Sequence, residues 1–385
     1  MCTSLADLKK ECETYVKNVK HYRILETDDE EIPVVERKII DNVKRIRDAL
    51  RDEKIRDDIC REEMERREGI ALEGSISAGK STASAALVEL ADKFNVPIKL
   101  WEEQGFEGWI VDVQHNAKRA AYPCQVAMLM SCFRAFHAAS YDNIFRNVQT
   151  LNDRTPLGNT IFSEAHHSYG NISDDEFTRY WTEYARWESE MLEPIQGAEA
   201  VTGTDKRAWA YNPTIAFLHR SADRCHHTAT QGRCRAGETS LPLDYFRTIE
   251  RIYIATFVSH LIDETKKSKF NVMFMDWQNW GTPEDILVNI FLWRYLRPIL
   301  EVRTGALNSN TCTLQKPLAK MSSAKRTDFV SRFYPLNVLQ NKCTVSIADI
   351  ARHAGEDNAP DTPVAMLKAE SPSGASDASL VKVEE

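Results

Sequence analysis

The sequence predicts an α/β protein, a parallel sheet of about five strands flanked by helices, with a charged helical extension before it and a disordered tail after it. Three observations predict this. Short apolar segments alternate with helical ones from Gly69 onward, the pattern of consecutive βαβ units. A glycine-rich turn joins the first of those strands to the first of those helices. Hydrophobic residues make up 43% of the 385 positions, enough for a buried core, which excludes wholesale disorder.

Residues 1–68 are charge-dense, about half Lys, Arg, Asp and Glu. Within them Val35, Ile39, Val43, Ile46 and Leu50 recur every three or four positions, predicting a helix with one apolar stripe that starts near Pro33. Such a helix either packs along the following domain or braces a partner. Ile70-Ala71-Leu72 predicts the first strand, and an Ala/Leu/Val-rich helix over 81–94 follows the glycine turn. Residues 97–101 predict a second strand and 125–146 a long helix. The third strand, over 147–152, is more polar than an interior strand usually is. Ser173-Asp174-Asp175-Glu176 is a capping box. It opens a helix carrying Phe177, Trp181, Tyr184 and Trp187 at helical spacing, a core or dimer surface. Strands over 214–218 and 271–275 complete the sheet, with a helix over 243–266 between them. The main domain is 69–303. Residues 304–385 form an extension, and its Ala, Ser, Asp, Glu and Pro-rich end, largely after about residue 355, cannot bury enough apolar area to offset chain entropy.

A net charge of −8 argues against a nucleic-acid partner, whose phosphates need a basic stripe. No apolar run approaches the roughly 18 residues of a membrane span, and the first twenty residues lack the apolar centre of a secretory signal. Nine cysteines without repeated spacing predict reduced thiols in a cytoplasmic protein. Cys225, His226, His227 and Cys234 fit no common zinc spacing.

Gly74-Ser75-Ile76-Ser77-Ala78-Gly79-Lys80-Ser81 matches G-x-x-x-x-G-K-[ST] in full, between a strand and a helix. Glycines let the backbone wrap a phosphate, and the N–H groups and dipole of the helix start favour its negative charge. Lys80 then reaches the outer phosphates and Ser81 helps hold Mg²⁺.

Five further segments follow in order. Glu102-Glu103 and then Trp109 come after the second strand. Tyr122-Pro123-Cys124-Gln125 leads a helix to Arg134. Asp153-Arg154-Thr155 comes after the third strand. Arg233-Cys234-Arg235, Glu238 and Leu241-Pro242-Leu243-Asp244-Tyr245 form one basic segment, and Asp276-Trp277 ends the last strand. Together with the phosphate loop they resemble the deoxynucleoside kinase family over residues 69–300. The resemblance implies a P-loop kinase fold and transfer of the γ-phosphoryl of ATP, with Mg²⁺, to the 5′-hydroxyl of a deoxynucleoside. It implies that Glu103, or its neighbour Glu102, is the base, that Trp109 packs on the nucleoside and that Gln125 binds the base edge. Cys132 and Asn159 fall where the family tunes purine against pyrimidine. The ATP site then comprises the eight loop residues and Thr82, the lid arginines Arg233 and Arg235, and Asp276 and Trp277 over adenine. Family members are commonly homodimers, which the aromatic helix suits.

The residue chemistry is coherent beside that resemblance. Phosphoryl transfer needs in-line positioning and positive charge around the transferring group, which Lys80, Arg154, Arg233 and Arg235 supply. Asp153 suits Mg²⁺ through water, Gln125 offers a donor and an acceptor, and Glu238 can accept from a sugar hydroxyl. Two departures stand out. Thr228 or Ala229 occupies the register of an earlier lid arginine, with Arg224 nearby, and Gln114-His115 stand where a sugar-binding tyrosine is expected. Two other readings compete. One is a nucleoside monophosphate kinase, whose acceptor phosphate needs additional arginines. The other is a degenerate kinase that binds ATP as a scaffold.

Overall fold

The computed structural model describes residues 2–24, 31–103, 112–192, 211, 213–234, 237–262, 271–278 and 281–308. The expected tail lies outside them from residue 309 onward, as do Trp109 and Arg235.

Three helices come first, α1 (Leu5–Ile24), α2 (Ile32–Ala49) and α3 (Glu53–Glu65). The chain then alternates: β1 (Ile70–Glu73), α4 (Lys80–Lys93), β2 (Ile98–Trp101), α5 (Ala117–Arg146), β3 (Gln149–Asp153) and α6 (Pro156–Ser168). After α7 (Asp174–Leu192) come β4 (Thr214–His219), α8 (Ala222–His227), α9 (Leu243–Ile262), β5 (Asn271–Asp276) and α10 (Pro283–Asn308). The five strands form one sheet in the order β2-β3-β1-β4-β5, and every neighbouring pair is parallel.

Alternation along β1 shows how the layers close. Ile70 and Leu72 pack with Leu87 and Leu90 of α4 and with Ile286 and Leu287 of α10. Ala71 faces the other way, against Leu157 and Ile161 of α6 and Ile249 and Tyr253 of α9. The sheet is covered on both faces, as parallel sheets require.

The polar strand β3 is nevertheless fully buried, and the side chains of Gln149, Thr150 and Asn152 each find a hydrogen-bond partner. Gln149 Oε1 accepts from the Gly69 backbone N at 3.3 Å. The Tyr211 hydroxyl donates to Asn152 Oδ1 at 2.9 Å and lies 2.8 Å from Thr150 Oγ1.

The charged extension is three helices, where the periodicity predicted one. All five stripe residues of α2 and its C-terminal cap are buried, with Leu8, Cys12 and Tyr15 of α1, Ile55 and Ile59 of α3, and Phe291 and Leu292 of α10. Arg294 of α10 pairs with the buried Glu63 of α3 at 2.9 Å. The stripe is thus part of the domain's own core. A second difference lies in α5, which begins at Ala117 and carries Pro123 inside it. A proline removes only one backbone donor, and near the start of a 30-residue helix the packing beyond it prevails.

The capping box forms as expected: Glu176 Oε2 accepts from the Ser173 N at 3.0 Å, and Ser173 Oγ accepts from the Glu176 N at 3.4 Å. The seven cysteines among the described residues are free. No helix among those residues is long and apolar enough to cross a membrane.

Candidate active site

The C-terminal ends of β1, β2 and β3 deliver the chemistry to one edge of the sheet, where parallel α/β sheets bind ligands. β1 ends at Glu73 and runs into the phosphate loop. β2 is followed by Glu102 and Glu103. β3 ends at Asp153, followed by Arg154.

Gly79 caps α4 with a φ of 95°, a left-handed backbone that favours glycine, and the helix then begins at Lys80. Lys80 is buried, and its Nζ donates to the carbonyls of Gly74 and Ser75 at 3.0 and 3.1 Å, holding the ammonium inside the loop. Burial and the nearby Arg154 push its proton affinity down, while Asp153, Glu103 and Glu73 pull it up; the net direction is down. Ser81 Oγ donates to Asp153 Oδ2 at 2.9 Å. The other Asp153 oxygen is buried with no hydrogen-bond partner. A hydroxyl and a carboxylate with one oxygen to spare form a hard-oxygen pair of the kind Mg²⁺ takes beside phosphates.

Arg154 Nε donates to Glu103 Oε1 at 2.5 Å, and the guanidinium lies 4.6 Å above the Phe162 ring. Burial works against its charge, yet Glu103, Tyr253 and Glu73 hold the guanidinium above its ordinary value. Glu102 and Glu103 line a small hollow together with Asp153, Arg154, Cys132 and Met128. Glu103 is the one bonded to Arg154, whereas Glu102 is exposed.

Asn159 of α6 is fully buried. Its Nδ2 donates to the Gln125 backbone carbonyl at 3.1 Å and to the Tyr180 hydroxyl at 2.9 Å. The side-chain oxygens of both Asn159 and Gln125 are buried without a donor. A core amide is normally satisfied, so Gln125 departs from a purely structural role. Burial raises the Cys132 thiol well above its usual range, leaving it a neutral wall.

The segment expected as a lid begins with a π-helical turn over Thr228–Arg233 that continues α8. Thr228 opens that turn, and Arg224 Nη1 donates to the backbone carbonyl of Gln278, just past β5. Glu238, expected on a sugar hydroxyl, accepts from Ser77 Oγ of the phosphate loop at 3.2 Å. Gln114 Nε2 donates to the Gly237 carbonyl and to Ser240 Oγ, the latter at 3.3 Å, joining the segment before α5 to the lid.

The Trp277 side chain is buried with Met275, Ile286 and Leu287. Asp276 beside it accepts from the Gln278 N at 2.9 Å. Sequence reasoning did not single out Glu73, Tyr180 or Tyr253. The signal for Glu73 was its place immediately before Gly74; the two tyrosines carried none.

Residues 70–285, more than half of the chain, match the family model described as deoxynucleoside kinase. Among solved structures the chain is similar to deoxyadenosine kinase from M. mycoides. With dATP bound, the identity is 20% over 58% of this chain and 98% of that one, TM-score 0.43. With products dCMP and a flexible dCDP bound, the identity is 18% over 58% and 97%, TM-score 0.41. No curated protein sequence matches.

Proposed function

The chain belongs to the deoxynucleoside kinase family and is on that ground an ATP-dependent kinase of deoxynucleosides; from this premise we propose which residues divide the work and which bases they accept. The 5′-hydroxyl attacks the γ-phosphorus in line, the bond to the β–γ bridging oxygen breaks, and ADP leaves. Glu103 takes the hydroxyl proton. Lys80, Arg154 and the lid's Arg233 and Arg235 carry the positive charge that the transferring group requires. Ser81 and Asp153 would hold Mg²⁺, which neutralises phosphate charge when bound. The observation that carries this reading is the Arg154–Glu103 pair at 2.5 Å beside Asp153 and the buried Lys80. The hollow there is lined by Glu102, Glu103 and Asp153 against one guanidinium, which suits a neutral acceptor and opposes one already phosphorylated.

Base choice follows from hydrogen-bond capacity. With both partners of Asn159 Nδ2 in place, its amide cannot turn without setting its oxygen against the Gln125 carbonyl. It therefore presents an acceptor, and Gln125 Oε1 is likewise buried and unpaired. Two acceptors are satisfied together by an exocyclic amino group with two hydrogens, as on adenine or cytosine; thymine has none. A panel of the four deoxynucleosides and their monophosphates with MgATP tests this. Amino-bearing nucleosides should give the higher kcat/KM, and thymidine and the monophosphates should be poor. Equal use of thymidine overturns the base assignment. Lys80→Ala should lose at least about 100-fold in kcat with the fold intact, and wild-type turnover in it overturns the phosphate-loop assignment.

A cytoplasmic homodimer completes the reading. Exposed Met130 and Tyr141 on α5 and Trp181 on α7 supply apolar surface for the second copy. Sedimentation at micromolar protein showing monomer alone removes the dimer.

A further inference from the structure

Glu73 is a fully buried carboxylate at the end of the central strand, and nothing in the phosphate chemistry above uses it. Both its oxygens are engaged. Oε1 accepts from the backbone N and the hydroxyl of Thr155, the hydroxyl at 2.7 Å. Oε2 accepts from the Tyr253 hydroxyl at 3.0 Å and lies 3.8 Å from Arg154 Nη1. The Tyr253 hydroxyl in turn accepts from Arg154 Nη1 at 3.1 Å. Burial pushes the Glu73 carboxyl above its ordinary value, while Arg154, Lys80 and the Thr155 donors pull it back towards the charged form. A buried anion is costly unless it is paired and hydrogen-bonded, and here it is both.

What this carboxyl group holds is Arg154. That residue has a φ of 91°, a strained backbone that persists only where its surroundings over-determine it. Its backbone N donates to the Leu72 carbonyl at 3.1 Å, its guanidinium covers Phe162, and Nη1 is drawn back by Tyr253 and Glu73. Only Nε then reaches Glu103, at Oε1. The second Glu103 oxygen is left for a proton. A guanidinium released from Glu73 can grip both oxygens of a carboxylate, the geometry it favours.

We propose that Glu73 and Tyr253 are positioning residues for phosphoryl transfer, tethering Arg154 so that it orients Glu103 without occupying it. The proposal rests on Glu103 being the base. Three variants test it under saturating MgATP: Glu73→Gln, Tyr253→Phe and Glu103→Gln, with the double variant Tyr253→Phe/Glu103→Gln. Tyr253→Phe guards against misfolding of Glu73→Gln, because it keeps the ring stacked on Phe217 at 4.9 Å and deletes only the hydroxyl. Glu73→Gln and Tyr253→Phe should each lower kcat by about 10–100-fold, with nucleoside KM within about twofold. The double variant should be slower than Glu103→Gln by less than Tyr253→Phe slows the wild type, because a tether that works through Glu103 has little left to act on there. Multiplied losses in the double variant, a loss confined to KM, or an unchanged kcat in Tyr253→Phe overturns the proposal. Wild-type kcat in Glu103→Gln overturns the base assignment itself, and the tether with it.

Discussion

A methyl group added at Gly158 would come within 2.1 Å of Glu73 Oε1. Gly158 lies in the first turn of α6, where its backbone N donates to the Thr155 hydroxyl at 3.1 Å, and Thr155 in turn serves Glu73. The neighbouring carboxylate is fully buried and held on both oxygens, so it has nowhere to retreat. Gly158→Ala should therefore destabilise by at least about 2 kcal/mol in denaturant unfolding and lower kcat as well, because it displaces the anchor of Arg154. An alanine variant with wild-type stability and turnover would contradict this packing. At the residue scale short motifs marked residues 74–81, Asp153 and Arg154, and the fold brings Ser81 onto Asp153. Tyr253 was not marked, standing 180 positions from the carboxylate it serves.

Among elements, the helix α2 was the most legible of the N-terminal segments. Its stripe is a period, and periods survive without knowledge of the partner surface. Two neighbours on it make a controlled pair: Ile39 is fully buried, whereas Ile40 is 53% exposed. Ile39→Ala should cost about 2–5 kcal/mol, and Ile40→Ala within about 0.5 kcal/mol of nothing. Equal losses in urea unfolding would mean that α2 does not pack as described. The identity of its partners, α1, α3 and α10, could not be read, since α10 is some 240 residues further along. For β3 the outcome turned on the same distance. Its polar side chains argued against an interior strand until Tyr211 and Gly69 supplied their hydrogen bonds. The early start of α5 shows local preference yielding to packing, with Pro123 carried inside a helix that propensity alone would have begun later.

At the scale of the whole molecule, buried titratable groups make stability depend on pH. His166 of α6 is buried, and burial lowers its pKa from the ordinary 6.5 to about 4. The unfolded chain then takes up a proton that the folded one resists. The stabilisation is complete above pH 6.5 and is lost as pH falls from there towards 4. The loss should be of order 3 kcal/mol. His166→Gln should remove that component, so the stability gap between pH 7 and pH 4.5 should narrow relative to the wild type. An unchanged gap in chemical unfolding would exclude His166 as the source.

The sequence by itself determined the class of fold, the phosphate loop and the family, because alternating periods and contiguous motifs are local properties of a chain. The tertiary structure decided which carboxylate pairs with Arg154, what satisfies β3, where the charged helices dock, and how Glu73 enters the site. Those depend on strands that are adjacent in the sheet but far apart in the chain. Burial then fixes the charges and spare hydrogen-bond acceptors that no single segment carries.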